Sequence, residues 1–281
     1  MDNQALEARV NEHYGKEGLL ERILTAASDE GLSLDHCQSS DFSAVSEFHI
    51  GGRKSTIELA KMAQLSEGDK VLDVGCGLGG PARTLVEEFG VFVDGIDLTS
   101  EFCAVANELT RITGLSEGAK FSQGNALNLN CEPGSYDVVW TQQSCMNIED
   151  KRQMFAEVNR VLKPGGAYVF QEVLAGVEDA VIKFPVPWAK EANMSYLWDE
   201  EKIKNSILKL NMVAHIWKNA TEQYLDEYRI LAAKTADVSN TPVMGVHLML
   251  GGQAGVMRRN VVSNLSQGLI AIYQGVFKKE K

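Results

Sequence analysis

Three glycines, Gly75, Gly77 and Gly80, follow a short apolar run in "VLDVGCGLGG". A glycine lets backbone approach a ligand closely and accepts positive φ. The G-x-G-x-x-G pattern alone would admit a dinucleotide pyrophosphate. Asp73, two residues before the turn, argues for a different ligand, because its carboxylate suits loop amides or an ammonium better than a phosphate. Asp97 stands 22 residues after Gly75, the distance at which an acidic side chain accepts both hydroxyls of a ribose. Thr99 or Ser100 is the better N-cap for the helix that follows, which leaves Asp97 for a ligand. In "GNAL", Asn125 can bond the exocyclic amine of an adenine while Leu127 packs on its face. His49 and His247 could move a proton, or be ordinary half-buried histidines. Arg53, Arg258 or Arg259 could clamp a carboxylate. Trp188, Met194, Tyr196 and Trp198 crowd one stretch, where aromatic faces could hold a methylammonium or form the core of a lid.

These residues need elements to position them. Residues 1–66 carry apolar positions at helical spacing and read as an N-terminal helical cap, with "FHIGGRKST" a loop feeding a helix. From residue 70 the period changes. "KVLDV", "VFVDGIDL", "AKFSQGNA", "SYDVVWTQ" and "AYVFQEVL" read as strands, alternating with "PARTLVEEF", "SEFCAVANELTRITG" and "KRQMFAEVNRVL" as helices. Such alternation predicts an α/β fold: a Rossmann-like, doubly wound, mostly parallel sheet. Residues 175–210 break the rhythm and are expected to form a mostly helical lid insertion. "MVAHIWKN" resumes as a strand, and "GLIAIYQGVFKK" closes the chain as an antiparallel edge strand or hairpin partner. The expected organisation is one domain, with a donor-binding core over 67–174, the lid over 175–210 and the rest of the core over 211–281.

Bulk composition narrows the function. The 281 residues are 44% hydrophobic with a formal charge of −11, a poor balance for holding a nucleic-acid backbone. No stretch reaches the roughly 18 apolar residues of a membrane span. Five cysteines without a C-x-x-C pair support neither a disulfide framework nor a zinc site, so no metal is expected and a reduced, cytoplasmic setting is. A monomer and a homodimer fit equally.

Taken together, "VLDVGCGLGG", "GIDLT", "GNALNL", "SYDVVWTQQSCMNI" and "LKPGG" resemble the class I S-adenosylmethionine-dependent methyltransferases in order and spacing, over roughly residues 48–174. "FHIGGRKST", the glutamine of "WTQQS" and "LGG…RRNVVSNLSQGLI" resemble the sarcosine/dimethylglycine N-methyltransferase group. The resemblance implies that Gly75, Cys76 and Gly77, with Asp73 behind them, line the aminoacyl part of the donor. It places Asp97 and its neighbour Leu98 at the ribose, and Asn125, Ala126 and Leu127 at the adenine. Gln142 would lie beside the methionyl carboxylate with Met146 nearby, and His49, Gly51, Gly52 and Tyr14 would close over that end. Two departures stand out. Asn-Ala replaces the usual Asp-Ala after strand three, and Gln142-Gln143-Ser144-Cys145-Met146-Asn147 replaces Q-D-x-x-x-H. The catalytic candidates are therefore Gln142, Asn147, His49 and His247, and the substrate candidates Trp188, Met194, Tyr196, Trp198 and Arg258. The implied reaction is methyl transfer to a small-molecule amine such as sarcosine or dimethylglycine. O- or C-methylation of a bulkier natural-product or lipid-like metabolite is the alternative, and a non-methylating S-adenosylmethionine-binding protein is a third reading.

Overall fold

A computed structural model describes residues 18–177, 180–235 and 243–281. Helices α1 (Leu19–Asp29) and α2 (Gly52–Ala63) precede an alternating series: β1 (Lys70–Val74), α3 (Gly80–Phe89), β2 (Phe92–Asp97), α4 (Ser100–Ile112), β3 (Ala119–Gln123), β4 (Tyr136–Gln142), α5 (Lys151–Val161) and β5 (Leu162–Ala175). After them come α6 (Glu200–Leu208), β6 (Met212–Asn219), α7 (Thr221–Thr235), α8 (Ala254–Ser266) and β7 (Ile270–Lys279). The seven strands form one sheet in the order β3-β2-β1-β4-β5-β7-β6. The first five run parallel, and β7 is antiparallel to both β5 and β6. The fold is thus the expected Rossmann-like sheet with antiparallel C-terminal strands.

Side chains alternate across a strand, so a sheet covered on both faces reads as a nearly continuous apolar run. Val71 and Trp140 point to one face, where they pack with Leu59 and Ala60 of α2, Leu85 of α3 and Ala106 of α4. Leu72 and Val139 point to the other, against Met154, Phe155 and Val158 of α5 and Ile203 and Ile207 of α6. Helix ends follow local chemistry: the Asp150 carboxylate accepts from Gln153 N at 3.0 Å to start α5, and Asp199 accepts from Lys202 N at 2.8 Å to start α6.

Two expectations need correction. The closing strand is not at an edge, because β7 sits between β5 and β6 with Ile270 to Phe277 all buried. It pairs with β5 from Ile270 to Lys278 and with β6 from Tyr273 to Lys279, so its backbone is bonded on both sides. The stretch after β5 is not a mostly helical insertion either. Its described part before Asp199 holds one bridge, Val186 to Ala189, and a single 3₁₀ turn, Ala192–Met194. Pro185 and Pro187 remove backbone donors and disfavour helix in the residues before them. The helix that does form, α6, belongs to the layer covering the sheet.

Gly51 precedes α2 at φ 91°, where a Cβ would lie 2.6 Å from both Ser55 Cβ and Tyr224 Cε1. Gly51→Ala therefore combines left-handed strain with overpacking and is expected to lower stability by roughly 1–3 kcal/mol. A urea midpoint equal to wild type at unchanged slope would contradict this.

Candidate active site

Open α/β sheets place ligands outside the carboxyl ends of their strands, where strand order reverses. Here the reversal lies between β1 and β4, and a cavity of about 280 Å³ opens there. Its floor is the glycine turn. Gly75 N and Cys76 N both donate to Ile96 O, at 2.8 and 3.0 Å, and Gly77 N donates to Asp97 Oδ2 at 3.0 Å. The second Asp97 oxygen accepts from Thr99 N at 2.9 Å. Gly75, at φ 80°, lies so close to Ser144 that a Cβ would come within 2.3 Å of the serine Cβ. Gly77, at φ 53°, has open space within 4 Å of where its Cβ would stand. Gly80 serves packing instead, because a Cβ there would fall 2.3 Å from Ser46 O.

Gly75, Gly77, Asp97, Leu98, Asn125, Ala126, Leu127 and Met146 all line the cavity. Asn125 Oδ1 already accepts from Leu127 N at 2.9 Å, which shapes the loop. Cys76 and Asp73 are not on the wall. The Cys76 side chain is buried in the core that also holds Cys103. Asp73 is buried under the turn with no partner for Oδ2. Burial, with Asp97 and Glu47 adding like charge, pushes its carboxyl up to about 8. Burial also raises the Asp97 carboxyl, against the lowering effect of its amide donors.

The segment before α2 forms a second wall. Glu47, Phe48, His49 and Ile50 line the cavity, whereas Gly51 and Gly52 do not. The Ile50 peptide is held from both ends: its N–H donates to Gln143 Oε1 at 3.1 Å, and its carbonyl accepts from Gln171 Nε2 at 2.7 Å. Gln142 is elsewhere. Its Oε1 accepts from Trp140 Nε1 at 3.1 Å and Thr56 Oγ1 at 3.2 Å, and its Nε2 donates to Ser55 Oγ at 3.2 Å. It fastens β4 to α2, and Gln143, turned outward at φ 55°, is the glutamine on the cavity wall. Tyr14 lies outside the described residues.

The third wall is the stretch after β5. Trp188 lines the cavity, with its Nε1 donating to Ser195 Oγ at 2.9 Å. Asn147 also lines it, but its Nδ2 donates to Trp188 O at 2.7 Å and Met194 O at 3.1 Å, pinning the covering segment. Met194 and Tyr196 contribute to that segment without reaching the cavity wall; the Tyr196 hydroxyl donates to Asn193 O at 3.1 Å. Trp198 is also off the wall, and the protein's own cations surround its ring. Lys202 Nζ lies 4.4 Å, Lys151 Nζ 5.6 Å and the Arg152 guanidinium 6.0 Å from its centroid. An aromatic cage including Trp198 is therefore not formed. Arg258 lines the cavity with its guanidinium 5.8 Å from the Tyr228 ring centroid. His247 and Arg259 are not on the wall. Arg53 is committed to Thr84 at 2.6 Å, Glu87 at 2.7 Å and Glu88 at 2.8 Å.

Sequence reasoning missed Glu47, Ile50, Gln143, Ser144, Tyr228 and Leu250 on this wall. Gln143 and Ser144 carried a signal, since both stand in the Gln142–Asn147 stretch singled out in the sequence. Among the described residues no His/Cys/Asp/Glu group could hold a metal ion, and no helix is long and apolar enough to cross a membrane.

Fold and site together define a class, a Rossmann-like α/β sheet with a ligand cavity over its glycine turn. Residues 72–170 match the family described as "Methyltransferase domain". Methyltransferase GfsG of Streptomyces halstedii is 32% identical over 134 residues, covering 48% of each chain. The chain thus spans about half the length of that relative, and less of other curated relatives it matches. Geranyl diphosphate C-methyltransferase of Streptomyces coelicolor A3(2) superimposes with a TM-score of 0.72 over 99% of both chains, at 16% identity. A candidate sarcosine dimethylglycine methyltransferase of Galdieria sulphuraria gives 0.65 at 22% identity, over 81% of this chain and 85% of that one. Further matches are named as N-, O- and C-methyltransferases, so likeness alone does not choose the acceptor atom.

Asn147→Ala removes both bonds to the covering segment and is expected to speed proteolytic cleavage within residues 180–198 without loss of the core fold. An unchanged cleavage pattern would show that the segment is held by other contacts. Asp73 gives a pH test. Its folded-state carboxyl sits far above its ordinary 3.8, so the linked stability is complete below about pH 4 and is lost as pH rises through about 8. Wild type should therefore weaken relative to Asp73→Asn across that window in urea unfolding, and a constant difference between the two would contradict the assignment.

Proposed function

We propose that this chain transfers a methyl group from S-adenosylmethionine to a small molecule with an apolar body. The observation that carries the reading is the mixed lining of the cavity. It includes the Gly77 cradle, Asp97 at the tip of β2 and the Asn125–Leu127 loop, a set that fits an aminoacyl nucleoside. Beside them it includes apolar side chains such as Met146, Pro187, Trp188, Leu250 and Val261. Among the described residues Arg258 is the only Lys or Arg on the wall. The match of residues 72–170 to the methyltransferase-domain family supports this assignment.

Gly75 and Gly77 would face the aminoacyl part, Asp97 the ribose hydroxyls through lone pairs not used by Gly77 and Thr99, and Asn125 to Leu127 the adenine. The bound donor supplies a methyl carbon already activated by a sulfonium. The chain's residues then have to orient an acceptor and keep water out. Covering each ~100 Å² of apolar acceptor surface contributes on the order of 2.5 kcal/mol. A guanidinium at the wall suits an anionic group on the acceptor.

A small amine such as sarcosine or dimethylglycine is the second reading. It is favoured by the likeness to the Galdieria protein and by Trp188, whose indole is the one tryptophan ring on the wall among the described residues. With Trp198 already engaged by Lys202, a single indole would carry the cation–π attraction, about 0.5–2 kcal/mol.

Incubating the purified chain with labelled donor, against apolar carboxylic acids, phenols and long-chain amines beside sarcosine and dimethylglycine, separates the readings. Transfer to the last two alone would reverse the preference. Asp97→Ala is expected to weaken S-adenosylhomocysteine binding at least tenfold by calorimetry, ~1.4 kcal/mol, with an unchanged circular dichroism spectrum. Undiminished affinity would remove the ribose assignment.

A further inference from the structure

We infer that His49, oriented by Glu47, is the proton acceptor of this site, and hence that the methyl acceptor reacts through an oxygen or nitrogen bearing a proton. The inference rests on the methyltransferase reading above. Both residues line the cavity. His49 Nε2 lies 3.1 Å from Gly52 O, 3.2 Å from Thr56 Oγ1 and 3.5 Å from Glu47 Oε2. A carbonyl and a carboxylate only accept. The Thr56 hydroxyl has its single proton directed at Glu47 Oε2, 2.9 Å away, or at Gln142 Oε1, 3.2 Å away, so toward the histidine it too accepts. All three neighbours therefore place the hydrogen on Nε2 and leave the lone pair on Nδ1, to which no hydrogen bond is made among the described residues.

The carboxylate that sets this tautomer is itself fixed. Glu47 accepts from Thr84 Oγ1 at 2.5 Å through one oxygen and from Thr56 Oγ1 through the other. Burial holds the His49 ring below its ordinary 6.5, so it is neutral and ready to accept at pH 7. Glu47 acts in the opposite sense and stabilises the imidazolium once it forms. Among the described residues, the other groups that could act as a base here are less available. Asn147 has no basic atom, Asp97 is bonded to two amides, the two Glu47 oxygens accept from Thr84 and Thr56, and Asp73 lies off the wall. In the step, His49 Nδ1 takes the proton from the acceptor O–H or N–H while that atom's electron pair bonds the methyl carbon and the carbon–sulfur pair stays on sulfur. The proton then leaves the imidazolium to water. Glu47 is a positioning residue in this scheme.

Four measurements on the full chain test it. Long-range nitrogen–proton spectra of histidine-labelled protein at pH 7 should show His49 as the Nε2–H tautomer, titrating below 6.5; an Nδ1–H ring would overturn the inference without reference to turnover. His49→Gln should lower methyl transfer about 100-fold or more and still bind S-adenosylhomocysteine. Glu47→Gln should lower it less and move the acid limb of the pH–rate profile to lower pH, because the imidazolium loses its partner. Alcohols, phenols and primary amines should accept methyl groups where alkenes lacking an O–H or N–H do not. Wild-type turnover in His49→Gln, or transfer to alkenes alone, would sink the inference. A wild-type chain that binds no S-adenosylhomocysteine would instead sink the donor reading.

Discussion

β1 ends at Val74, and the backbone amides of the glycine turn that follows have no strand left to pair with. The end of β2 satisfies three of them in succession: Ile96 O takes Gly75 and Cys76, and the Asp97 carboxylate takes Gly77. Buried amides must find acceptors, and here those acceptors fix the turn in space. Asp97 thereby holds the floor of the cavity and also lines it. Its position at the carboxyl end of a parallel strand next to β1 makes both tasks possible at once, because adjacent strands bring their C-terminal loops to the same edge.

The wall opposite depends on residues that never touch the cavity. Gln171 holds the Ile50 carbonyl, and its own Oε1 accepts from the Tyr224 hydroxyl at 2.8 Å and Gln274 Nε2 at 3.0 Å. Gln171 and Gln274 are fully buried, on β5 and β7. A buried amide left unpaired costs about 1–3 kcal/mol, so each member constrains the others. Gly51 matters for the same reason, since only a residue without Cβ lets the chain pass Tyr224. The cap carrying His49 is thus registered to the sheet through polar contacts, while the covering segment is registered through Asn147, Lys151, Asn260 and Asn264.

Much of this was legible in the residues. The strand–helix alternation, the glycine turn and the 22-residue step to Asp97 led to the fold and to the loops around the cavity. Parity at a strand end was not legible. Gln142 and Gln143 differ only in which continues the pleat, and the positive φ that turns Gln143 outward leaves no mark in composition. The aromatic stretch misled for another reason. Trp188 and Trp198 look alike in sequence, but Lys202, one turn into α6, covers the second ring. The place of β7 was not legible either, because apolar residues at both parities in "IAIYQGVF" signal cover on both faces of the sheet and not a strand on each side.

Charge is arranged unevenly along the cavity. Glu47 and Asp97 line it, whereas Arg258 is the lone Lys or Arg on the wall among the described residues, and Asp73 beneath, its carboxyl pushed up to about 8, adds little negative charge at neutral pH. The acidic part favours a ligand carrying positive charge. Two opposite unit charges about 5 Å apart gain on the order of 3 kcal/mol at an effective dielectric of 20. On the proposed reading that preference has a direction. A sulfonium donor arrives cationic at sulfur and departs neutral there, so these carboxylates hold the donor more strongly than the spent molecule. The proton taken up by His49 places a compensating positive charge beside Glu47 for the duration of the step. Release of that proton then returns the acidic wall to the state that favours the next sulfonium.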